Sequence, residues 1–363
     1  MTLTHVAQLR GRLDLTRAEA AEPLDLRVGE VTLRIYCESG ELEDELADYF
    51  RAARGAISQP DITIFVVEGQ SLDPAPDWQA WAREPGKSGR KDAIHDLVDG
   101  RLVHKVRTGV TFVQSPDLMV AFGPVTANPN QVVNFVNTQV LSLCLRNGWD
   151  ICHAAAVTDG TRSLAVAGLS GGGKSTSILR MMDLEGTAFV TNDRLLCRAT
   201  ESGAEGLGIP KHPRINPGTI LGNARMAGLL SETRRAELMA MPADELWDLE
   251  EKYDLIIPQI YGPNRIRYAA PLTDFWVLNW SRGADRVTMI QDVDLASRPD
   301  LLGAIMKSPG PFFQRSDGQF QQDDAQPDPE GYLRALRHVR VQEVTGRVDF
   351  DALAHLGRDL FDG

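Results

Sequence analysis

The sequence predicts an α/β protein: a P-loop core over residues 126–363, preceded by an α+β accessory domain over residues 1–125. Three observations carry this. A G-x-x-x-x-G-K-[ST] pattern, Gly168-Leu169-Ser170-Gly171-Gly172-Gly173-Lys174-Ser175, directly follows the apolar run Ser163-Leu164-Ala165-Val166-Ala167, and a helical stretch continues from it. At 363 residues, 43% apolar and 24% charged, the chain suits two globular domains, or one large domain with an attached module. Before residue 125, β-branched and aromatic runs alternate with turn signals, and no catalytic spacing occurs.

The elements follow from local pattern. Residues 4–22 read as an amphipathic helix, and Gly29 punctuates a hairpin with arms over 24–27 and 31–36. Residues 41–54 form a second helix, with Leu42, Leu46, Tyr49 and Phe50 on one stripe. Residues 61–67 (Asp-Ile-Thr-Ile-Phe-Val-Val) make a strong strand. A basic connector over 83–91 reads as an exposed loop. Runs at 94–97, 102–105, 111–114 and 118–122, separated by Asp99-Gly100 and Ser115-Pro116-Asp117, read as a β-meander. Asn128-Pro129 starts a long helix that Gly148 ends.

Beyond it, residues 151–157 form a strand, the apolar run at 163–167 another, and residues 175–182 the helix after the glycines. Gly186 turns the chain into a strand over 187–191 that ends at Asn192-Asp193-Arg194. Residues 210–219 are too rich in proline and glycine for regular structure. Residues 229–253 are mainly helical, with a break at Pro242. Strands are expected at 274–280 and 287–291, a flexible polar loop at 315–331, then helix, strand and helix at 332–338, 339–344 and 349–361. Trp276 and Trp280, four apart in a strand, face one side and read as core.

The glycine-rich motif has a specific chemistry. Glycines permit positive φ, so successive N–H groups turn inward around a phosphate. The following helix adds unpaired donors and a partial positive charge. Gly168 to Gly173, Lys174, Ser175 and Thr176 are thus expected to bind ATP. Lys174 neutralises the β- and γ-phosphates, and the Ser175 hydroxyl ligates Mg²⁺. Asp193, at the end of the next strand, is the expected second Mg²⁺ ligand. No guanine signature occurs, so ATP is expected over GTP. A net charge of −12 argues against a nucleic-acid partner. No run of about 18 apolar residues reads as a membrane span, and no signal peptide is recognised at the N-terminus. The chain is therefore expected in the cytoplasm. The four cysteines have no metal-ligand or disulfide spacing.

The motif, a histidine fifteen residues before it (His153) and Asn192-Asp193 after the next strand together resemble the HPr kinase/phosphorylase family. The likeness is closest to its HPr kinase-related branch and spans residues 150–198. It implies an HPr-kinase/PEPCK-like mixed-sheet core, ATP with Mg²⁺, and phosphoryl transfer to a hydroxyl on a small molecule or a protein serine. By position, His153 matches the family's reactive histidine and Asp193 its metal-binding aspartate. The family's first aspartate, which handles the acceptor's proton, is here Asn192, and an amide accepts no proton at neutral pH. His153 and Asp193 are the remaining nearby bases. The alternative is a catalytically inactive nucleotide-binding regulatory module, a pseudokinase. Arg214 is a candidate phosphate or substrate clamp. Arg265, Arg267 and Lys307 are candidates for the transition-state charge. Glu250, Glu251 and Lys252 read as a solvated helix face, with either glutamate a stand-in for the family's Glu-Ile-Arg-Gly acid. Whether the chain forms a homo-oligomer is left open.

Overall fold

The computed structural model describes residues 3–82, 89–168, 172–249 and 251–362. The chain is a mixed α/β protein that divides into two compact units: residues 1–148 with 308–327, and residues 149–307 with 328–363.

In chain order the first unit contains α1 (Ala7–Arg10), α2 (Thr16–Glu19), β1 (Leu24–Val28), β2 (Val31–Cys37), α3 (Gly40–Tyr49) and β3 (Ile62–Glu68). It continues with β4 (Gln79–Ala80), β5 (Asp92–Asp96), β6 (Arg101–Lys105), β7 (Thr111–Gln114), β8 (Met119–Gly123) and α4 (Pro129–Arg146). The strands make one eight-stranded sheet, ordered β1-β2-β3-β8-β7-β6-β5-β4. β5 to β8 form the expected antiparallel meander, and β8 joins β3 in parallel. The expected helix over 4–22 is instead two single turns. Leu9, Leu13, Leu15 and Ala18 are held there by burial against Val67 and Leu102, more than by a helical ladder.

The division falls after Gly148, whereas the sequence reading put it near 125. The reason is packing: α4 lies on α3 and β3, and its Phe135 meets Phe112 and Phe312 at 4.6 and 5.6 Å between ring centres. Residues 308–327, most of the expected flexible loop, belong to this unit as well. The fully buried Arg101 pairs with Asp96 and donates to the carbonyls of Pro311 (3.0 Å) and Gln321 (2.9 Å). A cation withdrawn from water must find such partners, and here they fix the returning segment.

The second unit contains β9 (Asp150–Cys152), β10 (Ala155–Thr158), β11 (Ser163–Gly168), α5 (Lys174–Met181), β12 (Ala188–Thr191), β13 (Leu195–Ala199) and β14 (Ala204–Gly208). Next come β15 (Arg214–Ile215), α6 (Pro217–Leu221), α7 (Glu232–Met239), α8 (Ala243–Asp248), β16 (Tyr253–Asp254), α9 (Ile257–Tyr261), β17 (Ala269–Pro271) and β18 (Asp274–Leu278). β19 (Met289–Asp292), α10 (Pro299–Ile305), α11 (Pro329–Ala335), β20 (Arg340–Thr345) and α12 (Phe350–Asp362) complete it. Its main sheet is ordered β12-β10-β11-β18-β20-β19, and a second sheet β17-β14-β13-β9.

The main sheet is apolar on both faces because strand side chains alternate. Leu164, Val166, Trp276 and Leu278 pack on one side with Ile178 and Leu179 of α5 and Leu353 of α12. Ala165, Ala167, Phe275 and Val277 pack on the other with Leu301, Leu302 and Ile305 of α10 and Tyr332 of α11. Burial of both faces is what a parallel centre requires, and β11, β18 and β20 do run parallel.

β10 is antiparallel to both β11 and β12. β11 and β12 therefore point the same way, with β10 between them. The ends of β11 and β12 and the start of β10 meet at one edge of the sheet. The run over 151–157 also splits: β9 pairs in the second sheet and β10 in the first, with His153 and Ala154 at the crossing. Pro242 does interrupt the 229–253 helix, preceding α8, but the stretch ends in the short strand β16.

Candidate functional site

Gly168 ends β11, and Lys174 opens α5 with Gly173 as its cap at φ +91°. Leu169, Ser170 and Gly171 lie outside the described residues. Gly173 is required by both conformation and space. Its φ is left-handed, and a Cβ there would sit 2.6 Å from the Phe350 ring. The indole Nε1 of Trp280 donates to the Gly172 carbonyl at 2.8 Å, and its ring meets Phe350 edge-on at 5.2 Å. Trp276 is core, donating to Gln342. Trp280 lies beyond the end of β18, packs partly buried against the same cluster as Trp276, as expected, and in addition braces the glycine segment. Sequence spacing counted it as strand and gave no signal for this role.

Asp193 stands in the turn after β12, which the Thr191 hydroxyl closes by donating to the Arg194 carbonyl at 2.8 Å. Its Oδ1 lies 3.1 Å from Nε2 of His153, and its Oδ2 lies 3.7 Å from Nε of Arg194. His153 is fixed by its own N–H, which donates to the Ile305 carbonyl at 2.7 Å. Burial pushes the Asp193 carboxyl up. The hydrogen bond from His153 and the charges of Lys307, His153 and Arg194 outweigh it, holding the group well below the usual carboxylate range. Burial lowers the Lys174 ammonium; the charge of Asp193 opposes this and that of Lys307 adds to it. Lys174, Asp193, His153 and Lys307 thus form one electrostatic cluster.

A cleft of about 560 Å³ opens beside this cluster, within the range of small-ligand sites. Gly172, Gly173, Lys174, Ser175 and Thr176 line it on one side, and Asn192, Asp193 and Arg194 on another. The segment 209–219 supplies a further wall. Thr176 and Thr219 hydroxyls are 2.8 Å apart across the cleft. The sequence signal in that segment was only its irregular, proline-rich composition; the residues that line the cleft from it, and Trp247 of α8, were not foreseen.

No protein-family model matches this chain, and no curated protein matches it. Among solved structures it is similar to the HPr(Ser) kinase/phosphatase from Coxiella burnetii. That match covers 59% of this chain and 99% of the other, at 10% identity and a TM-score of 0.29. So distant a likeness carries no argument; this chain's own residues must do so.

The remaining candidates separate by geometry. Arg214 lines the cleft but is paired with Asp254 at 2.9 Å. Lys252 lines it too. Arg265 donates to the carbonyls of Thr187, Met182 and Leu184 and so ties off the end of α5, which leaves it no part at the cleft. Arg267 packs against Gly160, and its N–H donates to the Phe189 carbonyl. Glu251 pairs with Arg234 and accepts from the Tyr253 hydroxyl; Glu250 is outside the described residues. Among the described residues no helix is long and apolar enough to cross a membrane, and no group of three or more His, Cys, Asp and Glu is placed to hold a metal.

Mg²⁺ keeps several waters and is held by one or two protein oxygens together with substrate phosphates. A single ionised carboxylate, Asp193, facing a helix that begins Lys174-Ser175 fits such a donor set.

Proposed function

We propose that the protein is an ATP- and Mg²⁺-dependent phosphotransferase that moves the γ-phosphoryl group to a hydroxyl. One observation carries the reading: the start of α5, with Lys174, and the cluster of Asp193 and His153 meet at one sheet edge beside a nucleotide-sized cleft. The glycine-rich motif and its resemblance to the HPr kinases support it independently. Lys174 and the helix N-terminus bind the phosphates. Ser175 and Asp193 would hold Mg²⁺, which would supply neutralisation of the phosphate charge. His153, donating from Nε2 to Asp193, keeps Nδ1 as an acceptor in its neutral form. It is the base nearest the metal-binding acid. Catalysis of this kind is mainly positioning and charge neutralisation, so a strong base is not essential.

A second reading, a nucleotide-binding module without transfer, is favoured by Asn192 alone. Incubation with γ-labelled ATP, Mg²⁺ and fractionated cell extract decides between them. The expected result is label in an acceptor, abolished by Asp193→Asn and increased by Asn192→Asp. ATP binding with no labelled acceptor in any fraction establishes the module instead.

A further inference from the structure

Trp247 stands apart from the apolar residues around it. Leu246 and Leu249 pack against the cluster on the α5 side of the main sheet, and Trp247 is not a member of that cluster. It is only partly buried, and it lines the cleft. An indole is among the largest apolar surfaces a chain can bury, so one held at a cleft wall instead of in the core forgoes stabilisation. Ala243 and Leu246 line the cleft beside it. These three side chains offer nothing to a triphosphate. They suit a flat group with apolar faces.

The ring is held in place from behind. Arg282, in the turn after β18, lies over it with the guanidinium carbon 5.0 Å from the ring centre. Arg282 in turn pairs with Asp244 at 2.6 Å and stands 4.0 Å from Asp248, both on α8. Trp247 lines the cleft and Arg282 does not, so the guanidinium backs the ring and the ring itself faces the cleft. Two residues before Arg282, Trp280 donates to the Gly172 carbonyl. One turn thus braces both the glycine segment and the indole. On the other side α6 joins the same two places: Thr219 meets Thr176 of α5, and Gly218 stands beside Leu246 of α8. The indole is therefore fixed relative to the start of α5, along one cleft.

We propose that Trp247 is the platform on which the nucleotide's base stacks, with Arg282, Asp244 and Asp248 as the positioning residues that hold its ring. The inference rests on the kinase reading, which puts the triphosphate at the start of α5, and deepens it by seating the other end of the nucleotide. Stacking on an aromatic ring suits any nucleobase, because each has a π-face. A ring already fixed by charged neighbours needs little ordering when the base arrives, so more of the stacking energy appears as affinity. The platform supplies affinity and leaves the choice between adenine and guanine to other contacts.

The test uses the full chain. A fluorescent N-methylanthraniloyl-ATP reports occupancy of the cleft, and its displacement by ATP, adenosine and inorganic tripolyphosphate, each with Mg²⁺, gives three affinities. ATP is expected to bind the unaltered chain at least about tenfold tighter than tripolyphosphate. Trp247→Ala should weaken ATP and adenosine about tenfold and leave tripolyphosphate within about threefold, with an unchanged circular dichroism spectrum. Trp247→Phe, which keeps a ring and the fold, should recover most of the loss. Equal affinity of the unaltered chain for ATP and tripolyphosphate overturns the platform and leaves the kinase reading standing. So does a Trp247→Ala variant that binds ATP as before, or that loses ATP and tripolyphosphate to the same extent. Displacement by adenosine but not by tripolyphosphate overturns the kinase reading and leaves the platform standing. No binding of the fluorescent nucleotide overturns both.

Discussion

Nε2 of His153 lies 3.1 Å from Oδ1 of Asp193, although forty positions separate them in the chain. The contact exists because β10 is inserted antiparallel between β11 and β12, which brings the second residue before one strand to the second residue after another. If His153 takes the acceptor's proton, His153→Gln should preserve a donor to Asp193 while removing the base. Turnover is expected to fall about 100-fold, the usual weight of a general base, with nucleotide affinity within threefold. Steady-state rates and a nucleotide titration measure the two separately. Retained turnover would reduce His153 to a positioning role.

Lys174→Ala should weaken nucleotide binding by about 2–3 kcal/mol, roughly a 100-fold loss. The fold should not suffer. Burial lowers this ammonium's pKa, so its removal relieves a desolvation cost and thermal stability should hold or rise. Titration of the fluorescent nucleotide together with a melting curve checks both halves.

Gly173→Ala should destabilise the second unit by about 2 kcal/mol. The new methyl meets the Phe350 ring at 2.6 Å, and the residue must keep φ +91°. Phe350→Leu in the same chain should recover only the steric part, since the left-handed backbone remains. Urea unfolding of the single and double variants resolves the two contributions.

An ion pair away from the cleft contributes to the stability of the fold toward acid. The buried Glu343 accepts from Arg298 at 2.8 and 2.9 Å. The Arg298 guanidinium, opposed by burial and aided by Asn279 and Gln291, lowers the Glu343 pKa to about 2. A depressed carboxyl stabilises the fold fully above its unfolded value near 4.5, and that contribution is lost as pH falls toward about 2. Arg298→Ala, which leaves the carboxylate buried and unpaired, should cost about 3 kcal/mol at pH 7. The loss should shrink as the pH is lowered through this window. Chemical denaturation across pH 3–7, a range set by these values, gives the profile.

Much of the candidate site proposed here rests on patterns present in the chain before any coordinates. A motif such as Gly168 to Ser175 is local: glycine spacing, an apolar strand before and a helix after are all encoded within some twenty residues. The meander from β5 to β8 was legible for the same reason, since two of its three turns carry an Asp-Gly or Pro-Asp signal. The helix expected over 4–22 was not, because apolar residues at helical spacing served instead to pin two short turns on a sheet.

What the sequence settled by itself is the set of chemical groups on offer: a phosphate-binding pattern, one acid after the next strand, an amide where a base would stand, and an acidic surface. Tertiary structure alone decided which groups meet. It seated β10 between the motif strand and the strand that leads to Asp193, used Arg265 to tie off a helix, turned Trp280 toward the glycine segment, and gathered Lys174, Arg194 and Asp193 along one cleft. The physical reason is range. Turn and helix signals act over a few residues, whereas strand order and burial are decided by apolar faces far apart in the chain, whose pairing no local pattern specifies.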